Sequence, residues 1–194
     1  MGETKNIMIV GVGGQGTLLA SKILGAVLLA QGYDVKVSEV HGMSQRGGSV
    51  VTYVRYGEDV ASPLVDTGEA DVVLAFEQLE AARWLPSLKP GARLIANTQR
   101  MNPMPVITGA AEYPTGIFDA LRGAGVALMV VDALSLALQA GSAKAVNVVL
   151  LGALARQMDL PEAAWQAALR KTVKSQFVEL NQKAFALGYD ISKG

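Results

Sequence analysis

Short apolar runs alternate along this chain with longer segments in which apolar residues recur at helical spacing. Residues 7–10 form a continuous apolar run that ends in glycines, a pattern typical of a parallel strand covered on both faces. Residues 15–30 follow, with Gly25 as the one helix breaker after Gly16, and predict a helix. The alternation continues along the chain and ends in a helical C-terminal region. It predicts an α/β fold with a doubly wound, mostly parallel sheet in a Rossmann-like three-layer arrangement.

Turn residues and periodicity define the expected elements. We expect strands at residues 7–10, 34–40, 49–56, 71–76, 92–96 and 127–131, with a further short strand at 103–108. We expect helices at residues 15–30, 77–85, 117–122, 133–139 and 146–158, a helix opened by Pro161 and Glu162, and a last helix that stops at Gly188. No repeat, low-complexity tract or linker divides these elements, so residues 1–194 are expected to form one domain.

The composition excludes several kinds of site. The 194 residues are 51% apolar and 18% charged, and none of them is a cysteine. Disulfide scaffolds, thiolate zinc sites, iron–sulfur clusters and cysteine nucleophiles therefore cannot be built from this chain alone. Charged residues make up about 25% of an average soluble domain. The lower value here predicts that part of the surface is covered by another chain.

The charge balance bears on location and partners. With 17 basic and 17 acidic residues and no long run of either sign, the chain lacks a field that attracts nucleic acid or an anionic membrane. Its apolar stretches are interrupted before they reach the ~18–20 residues that span a bilayer. Its first residues lack the features of a secretion signal. We therefore expect a cytoplasmic protein with no nucleic-acid or membrane partner.

A glycine-rich turn follows the first predicted strand. Gly11, Gly13 and Gly16 match the pattern G-x-G-x-x-G, and Gly14 and Gln15 lie within it. Between a strand and a helix, such glycines allow a tight turn and let the phosphates of a ligand approach the backbone at the helix N-terminus. Two interpretations stay open here, because glycine turns also occur at such junctions where no nucleotide binds.

A second unusual segment, residues 41–48, follows the second predicted strand. Its expected position is the same sheet edge as the glycine turn, where α/β folds bind ligands. Arg46, with Gly47 and Gly48 beside it, can present a planar fork and backbone amides to a carboxylate or phosphate. The alternative is a loop in which Arg46 pairs with Glu39 or a neighbouring carboxylate.

Glu39 and His41 are further candidates in this region. Glu39 lies 23 residues after Gly16. A Rossmann fold places the acidic residue that holds a ribose at a similar spacing of about 20 residues, but Val40 and His41 still separate Glu39 from the next glycine. His41 is the only histidine and the first candidate for acid–base chemistry near neutral pH. A structural or interface role is the commoner one for a lone histidine.

Glu77 and Asn97 each follow a predicted buried strand and should lie at the same sheet edge. They are secondary candidates for the site, and each also suits the start of a helix or turn. The sequence contains no G-x-x-x-x-G-K-[ST], H-E-x-x-H or G-x-S-x-G motif. The two glycine segments are therefore the principal functional signal.

Over nearly its whole length the chain resembles the gamma subunits or gamma domains of 2-oxoacid:ferredoxin oxidoreductases. The resemblance rests on the segments GVGGQG, SEVHGMSQRGGSVVTYVRYG, ADVVLAFEQLEA, NVVLLGALA and NQKAFALG. The first motif alone is weakly specific, but the first two at this separation are highly specific. His41 and Met43 fit the version found in the small, beta-named subunits of the indolepyruvate type.

The resemblance implies an activity that is shared between subunits. Enzymes of this family oxidatively decarboxylate a 2-oxoacid to an acyl-CoA, with thiamine diphosphate for the carbanion chemistry and iron–sulfur clusters that pass electrons to ferredoxin. In the indolepyruvate type these cofactors belong to a large partner subunit, which agrees with the absence of cysteine here. The resemblance therefore implies a chain that holds no cofactor alone and helps to form the site for an aryl pyruvate and CoA.

The resemblance also selects residues. The family motif positions fall on Gly11, Gly13, Gly14, Gln15, Gly16, Glu39, Gly42, Gln45, Arg46, Gly47, Gly48 and, in a late helix, Asn147. His41 and Ser44 of the second segment, together with Glu77 and Asn97, complete the candidate ligand-binding set. No catalytic residue and no metal ligand is assigned to this chain.

Two other functions stay open at this point. A free-standing NAD(P)-binding Rossmann protein would use the glycine turn to bind its cofactor by itself. A purely structural assembly module would keep the turnover of the assembled enzyme when Arg46 is replaced. The isolated chain could also form a homodimer through surfaces meant for its partner, and the sequence leaves this question open.

Overall fold

A computed structural model describes residues 3–41 and 48–191. Its six strands are β1 (Lys5–Val12), β2 (Asp34–His41), β3 (Ser49–Gly57), β4 (Ala70–Ala75), β5 (Leu88–Asn97) and β6 (Ala127–Val131). They form one sheet in the order β2-β3-β1-β4-β5-β6. Among these strands only β3 runs against the others, because it pairs antiparallel with both β1 and β2 while β4, β5 and β6 continue parallel to β1.

Helices cover both faces of the sheet. They are α1 (Thr17–Ala30), α2 (Gln78–Arg83), α3 (Met104–Ile107), α4 (Ile117–Gly123), α5 (Ala133–Ala140), α6 (Val146–Ala155), α7 (Glu162–Thr172) and α8 (Val178–Asp190). Ile7 and Ile9 of β1 belong to the core shared with α1 and α5–α8, and Met8 and Val10 belong to the core shared with α2 and α4. This arrangement confirms the predicted doubly wound, three-layer α/β fold with a helical C-terminal region. No described helix is long and apolar enough to span a bilayer.

The second strand does not lie beside the first. β3 is inserted between β1 and β2, with Val12 opposite Ser49 on one side and His41 opposite Val50 on the other. The connection from His41 to Ser49 is too short for the crossover of a dozen or more residues that parallel strands require, so β2 and β3 form an antiparallel pair. β2 still runs in the same direction as β1, and both strands end at the same edge of the sheet.

Two sequence-based expectations about elements were wrong. Residues 103–108 contain the short helix Met104–Ile107 and no strand. Pro103 precedes its first turn and Pro105 lies within that turn, where the missing N–H of proline costs no helical hydrogen bond, whereas a strand would lose a ladder bond. The last helix does not stop at Gly188 but continues to Asp190.

Gly188 has a packing role where α6 and α8 cross. A methyl group at Gly188 would overlap the carbonyl oxygen of Val149 in α6. A methyl group at Gly152 in α6 would in turn overlap the carbonyl oxygen of Phe185 in α8. The two backbones are therefore in direct contact at the crossing. This close approach fixes α6, whose residues from Asn147 to Ala155 are all buried.

We predict that Gly188→Ala destabilises the fold, because neither backbone can move away without disturbing the buried α6. The free energy of unfolding should fall by about 1–3 kcal/mol or more, as for other overpacked cores. The matched control is Gly25→Ala in α1, where the added methyl group meets no atom closer than 4.0 Å. The free energy of unfolding of this control should rise by roughly 0.5–1 kcal/mol, because alanine has a higher helix propensity than glycine. Urea denaturation followed by circular dichroism measures both values, and equal behaviour of the two variants would contradict the proposed crossing.

Candidate functional site

The carboxyl ends of five strands meet at one edge of the sheet. β1 and β4 diverge there, since the helix after β1 leads to β2 and β3 while the helix after β4 leads to β5. Such a switch point opens a crevice, which is where open α/β sheets bind ligands. The glycine turn lies on one side of this crevice, and the segment that follows β5 lies on the other. Of the second glycine segment the structure describes His41 and Gly48, and both lie at this edge.

The glycine turn connects β1 to α1 through left-handed backbone. Gly14 has φ of 100° and Gly16, which caps α1, has φ of 85°, a region that residues with a side chain rarely adopt. The N–H of Gly13 donates to the carbonyl oxygen of Gly48 at 2.9 Å. The first glycine motif is thus bonded directly to the end of the second.

The side chain of Gln15 holds this turn against the sheet. Its Oε1 accepts from the N–H of Val12 at 2.7 Å, and its Nε2 donates to the carbonyl oxygen of Phe76 at 3.1 Å. The same Nε2 donates to Oε1 of Gln99 at 3.1 Å. One amide group therefore connects the ends of β1 and β4 and the segment after β5.

Two of the motif glycines are required by their neighbours. A methyl group at Gly11 would lie 2.7 Å from Oε1 of Gln15 and 3.0 Å from Cβ of Phe76. A methyl group at Gly16 would lie 2.7 Å from Nδ2 of Asn147, which donates to the carbonyl oxygen of Gly16 at 3.3 Å. The buried Asn147 therefore packs the start of α6 against the turn and is itself a part of the site's framework.

Two clefts flank the glycine turn. The first, which we call the Glu39 cleft, is lined by Gly13, Gly14, Gly16, Thr17, Leu18, Glu39, His41 and Val50. The second, which we call the Lys144 cavity, has a volume of about 630 Å³ and is lined by Gly13, Gly14, Gln15, Gly16, Gln99, Met101, Leu134, Ala143, Lys144, Val146 and Asn147. The turn can therefore contact a ligand from either side. In the Glu39 cleft, Oε2 of Glu39 accepts from the Thr52 hydroxyl at 3.2 Å and His41 is exposed.

Glu77 and Asn97 lie beneath the turn and line neither cleft. Glu77 is 1% exposed, caps α2 through the N–H of Glu80 at 3.0 Å, and accepts from the N–H of Met101 at 3.0 Å and from the Tyr113 hydroxyl. Asn97 is fully buried, with Nδ2 donating to the Phe76 carbonyl at 3.1 Å. Both side chains therefore support the backbone at the strand ends, the role that their positions at turn and helix starts also allowed.

Glu80 is a second buried carboxylate at this edge. Its Oε2 accepts from the Ser49 hydroxyl at 2.5 Å and from Nε1 of Trp84 at 3.3 Å, and its Oε1 lies 3.3 Å from Nη1 of Arg83. Ser49 is the first residue of β3, directly after the second glycine segment. Glu80 therefore anchors the end of that segment to α2. No local sequence pattern indicates this contact, because it depends on how α2 packs over the strand ends.

Five of the candidate residues lie outside the described residues, namely Gly42, Ser44, Gln45, Arg46 and Gly47, so their ligand-binding roles stay predictions. Within the described part of the chain, no cluster of three or more histidine or carboxylate side chains is arranged to hold a metal ion. Gln99 and Lys144 line the Lys144 cavity but were not among the candidates. Gln99 follows β5 at the same sheet edge as Asn97 and could have been found by that rule, whereas nothing in the local pattern marks Lys144.

Comparison with known proteins places the chain in a family. Residues 6–191 match the model of the pyruvate ferredoxin/flavodoxin oxidoreductase family. The chain belongs to this family. It is 43% identical to indolepyruvate oxidoreductase subunit IorB of Thermococcus kodakarensis, over 97% of this chain and 96% of that protein. It is 42% identical to the subunit of the same name from Pyrococcus horikoshii, over 97% and 96% of the two chains.

A solved structure shows the same fold. The pyruvate oxidoreductase subunit PORC of Thermotoga maritima superposes with a TM-score of 0.75 at 24% identity, over 97% of this chain and 96% of that one. Membership of the oxidoreductase family disfavours a free-standing NAD(P)-binding protein. The strand order also disfavours such a protein. β3 lies between β1, which leads into the glycine turn, and β2, which carries Glu39, so these two strands are not adjacent. A Rossmann dinucleotide site is built on two adjacent parallel strands.

The Glu77–Tyr113 contact predicts how stability changes at high pH. Burial, followed by the hydrogen bond to Glu77, raises the pKa of Tyr113 above its ordinary value, and burial raises the pKa of Tyr56 to about 12. In the unfolded chain both phenols ionise near pH 10. Their contribution to stability is therefore complete below pH 10 and is lost as the pH rises toward the folded-state values.

We predict that Tyr113→Phe makes the free energy of unfolding fall less steeply between pH 9 and pH 11 than in the wild type. At pH 7 the variant should be less stable by about 1–3 kcal/mol, because the buried Glu77 loses a hydrogen-bond donor. Tyr53→Phe is the matched control, since Tyr53 has no recorded side-chain hydrogen bond among the described residues. Urea titrations at each pH measure these quantities, and identical pH slopes for wild type and Tyr113→Phe would contradict the assignment.

Proposed function

We propose that this chain is the small subunit of a 2-oxoacid:ferredoxin oxidoreductase that converts indolepyruvate, or a related aryl pyruvate, to its acyl-CoA. The observation that carries the proposal is the joined pair of glycine motifs at the switch point, in a chain that shares 43% identity with an indolepyruvate oxidoreductase subunit. The subunit would contribute one wall of the site for the 2-oxoacid or CoA. The oxidative chemistry would occur on a large partner subunit.

The absence of cysteine supports this division of labour. Iron–sulfur clusters are ligated by thiolates, which this sequence does not contain, so such a cluster does not fit this chain. Thiamine diphosphate, which supplies the carbanion chemistry in the complete enzyme, is likewise assigned to the large subunit in this proposal. Ferredoxin would then meet the large subunit and not this chain. What this chain can supply is hydrogen-bond donors and positive charge for an anionic ligand.

The candidate donors lie around the glycine turn. Gly14 has open space within 4 Å of the place where a Cβ would be, so a ligand atom can approach its backbone. Arg46, two residues before Gly48 in the second motif, would add a fork that binds a carboxylate or phosphate. Gly13, Gly16 and the amide network of Gln15 would keep these donors in place, because they fix the turn against the sheet.

Exposed apolar residues mark where a large subunit would bind. Leu18 borders the Glu39 cleft and is 48% exposed, Leu134 borders the Lys144 cavity and is 44% exposed, and Phe177 is 46% exposed nearby on the other side of Lys144. Apolar side chains grouped around a site favour a protein partner. The proposal places the complex in the cytoplasm, without a membrane or nucleic-acid partner, and allows the same surfaces to pair in a homodimer when the subunit is isolated.

The test is co-expression with the large subunit, followed by indolepyruvate- and CoA-dependent reduction of ferredoxin or a viologen dye. We expect the complex to be active and each subunit alone to be inactive. Arg46→Ala should reduce kcat/KM by about tenfold or more with assembly intact, because a charge-assisted contact to the ligand is lost. Arg170→Ala, at the exposed end of α7, is the matched control and should leave turnover unchanged. Full activity of the large subunit alone would overturn the proposal, and unchanged turnover in Arg46→Ala would favour a purely structural module.

A further inference from the structure

Hydrogen bonds fix the orientation of the Gln15 side chain. Val12 N–H can only donate and the Phe76 carbonyl can only accept, so Gln15 must direct Oε1 toward Val12 and Nε2 toward Phe76. A flipped amide would place like groups against each other at both contacts. Nε2 of Gln15 is therefore the group that meets Gln99.

The orientation of Gln99 follows from that of Gln15. Because Nε2 of Gln15 is a donor, Gln99 must present its Oε1, which lies 3.1 Å away. The main chain of Gln99 is also held, since its carbonyl oxygen accepts from the N–H of Gln78 at 3.0 Å. Nε2 of Gln99 is thus left over as a donor, and no acceptor for it is recorded in residues 3–41 and 48–191. The half-buried Gln99 side chain lines the Lys144 cavity.

The charge of the Lys144 cavity favours an anion. Of its lining residues, Lys144 is the one cation and none is a carboxylate. Lys144 is exposed and forms no ion pair with any described residue. The Glu39 cleft on the opposite side of the glycine turn is lined by a carboxylate instead. Among the described lining residues, an anionic group that approaches the turn is therefore attracted by Lys144 on one side and repelled by Glu39 on the other.

We propose that Nε2 of Gln99 and the ammonium group of Lys144 bind an anionic oxygen of a ligand, with Gln15 as the positioning residue that aims Gln99. The shared chemistry is a carboxylate or phosphate oxygen, which either the 2-oxoacid or CoA can supply. Met101, Leu134 and Val146 line the same cavity and would contact an apolar part of that ligand. This inference rests on the proposed function, because it names the side of the glycine turn on which the substrate anion binds.

The informative variant is Gln99→Glu in the complex with the large subunit. Its carboxylate still accepts from Gln15, but its second oxygen replaces the donor with a negative charge. KM for the ligand that carries the bound anion should rise by about tenfold or more, with a smaller change in kcat. Lys144→Gln should raise the same KM. Gln31→Glu adds the same charge just beyond the far end of α1 and is the matched control, with no change expected.

The two sources of the anion are separated by two measurements. Titration calorimetry with CoA alone, in the absence of a 2-oxoacid, gives a dissociation constant independent of turnover. A weaker CoA affinity together with a raised KM for CoA assigns the site to a CoA phosphate, and a raised KM for indolepyruvate alone assigns it to the carboxylate. If Gln99→Glu fails to assemble, Gln99→Met is the second variant, because it keeps the length of the side chain and removes the donor, together with the oxygen that accepts from Gln15.

An active complex in which neither the Gln99 variants nor Lys144→Gln alter either KM or the CoA affinity would overturn this inference and leave the proposed function standing. A wild-type complex that reduces no acceptor with any 2-oxoacid would overturn the proposed function instead. The two failures are therefore distinguishable in one set of assays.

Discussion

The divergence of β1 and β4 leaves two backbone groups without partners in the sheet, and the side chain of Gln15 bonds to both of them, with Nδ2 of Asn97 as a second donor to the Phe76 carbonyl. The N–H of Val12 and the carbonyl of Phe76 lie at the points where the strands separate. A buried backbone group without a hydrogen-bond partner costs roughly 1–3 kcal/mol of stability. The crevice at the switch point is therefore stable only if side chains supply the hydrogen bonds that the diverging strands no longer make. A long amide is well suited to this task, because it carries a donor and an acceptor at one end.

The position of Gln15 explains part of the glycine pattern. Gly11 lacks a side chain because Oε1 of Gln15 and Cβ of Phe76 occupy the space, and Gly16 lacks one because Asn147 does. Both positions are thus restricted by the chain's own side chains, whether or not a ligand is present, and at Gly16 the left-handed backbone is a second restriction. Gly14 differs, since its left-handed backbone borders open space. The motif therefore has a packing role at Gly11 and Gly16 and an accessible backbone position at Gly14, and its ligand-binding role stays a prediction.

Much of the fold could be predicted from the sequence, because buried parallel strands and glycine turns are local signals. The strand Lys5–Val12, which is buried from Asn6 onward, and the glycine turn that follows it are examples. The place of β3 between β1 and β2 is not a local property, since it depends on which strand pairs best after a short connection. The contact between Asn147 and Gly16 joins residues 131 positions apart and requires the crossing of α6 and α8 to place α6. Periodicity carries no information about such contacts.

Some of the side chains that line the two clefts are apolar and partly exposed to solvent. A partner chain that covered them would bury apolar surface and close the clefts. Leu18 and Leu134 stand on opposite sides of the turn, each nearly half exposed. A site that binds an anion strongly needs to exclude water, since charge interactions weaken steeply as the surrounding dielectric rises. The glycine turn, Gln99 and Lys144 supply directed donors but leave the ligand facing solvent. In the proposed complex, a surface of the large subunit that covers the exposed leucines would also exclude water from the site. Assembly and ligand binding would then depend on the same apolar contacts.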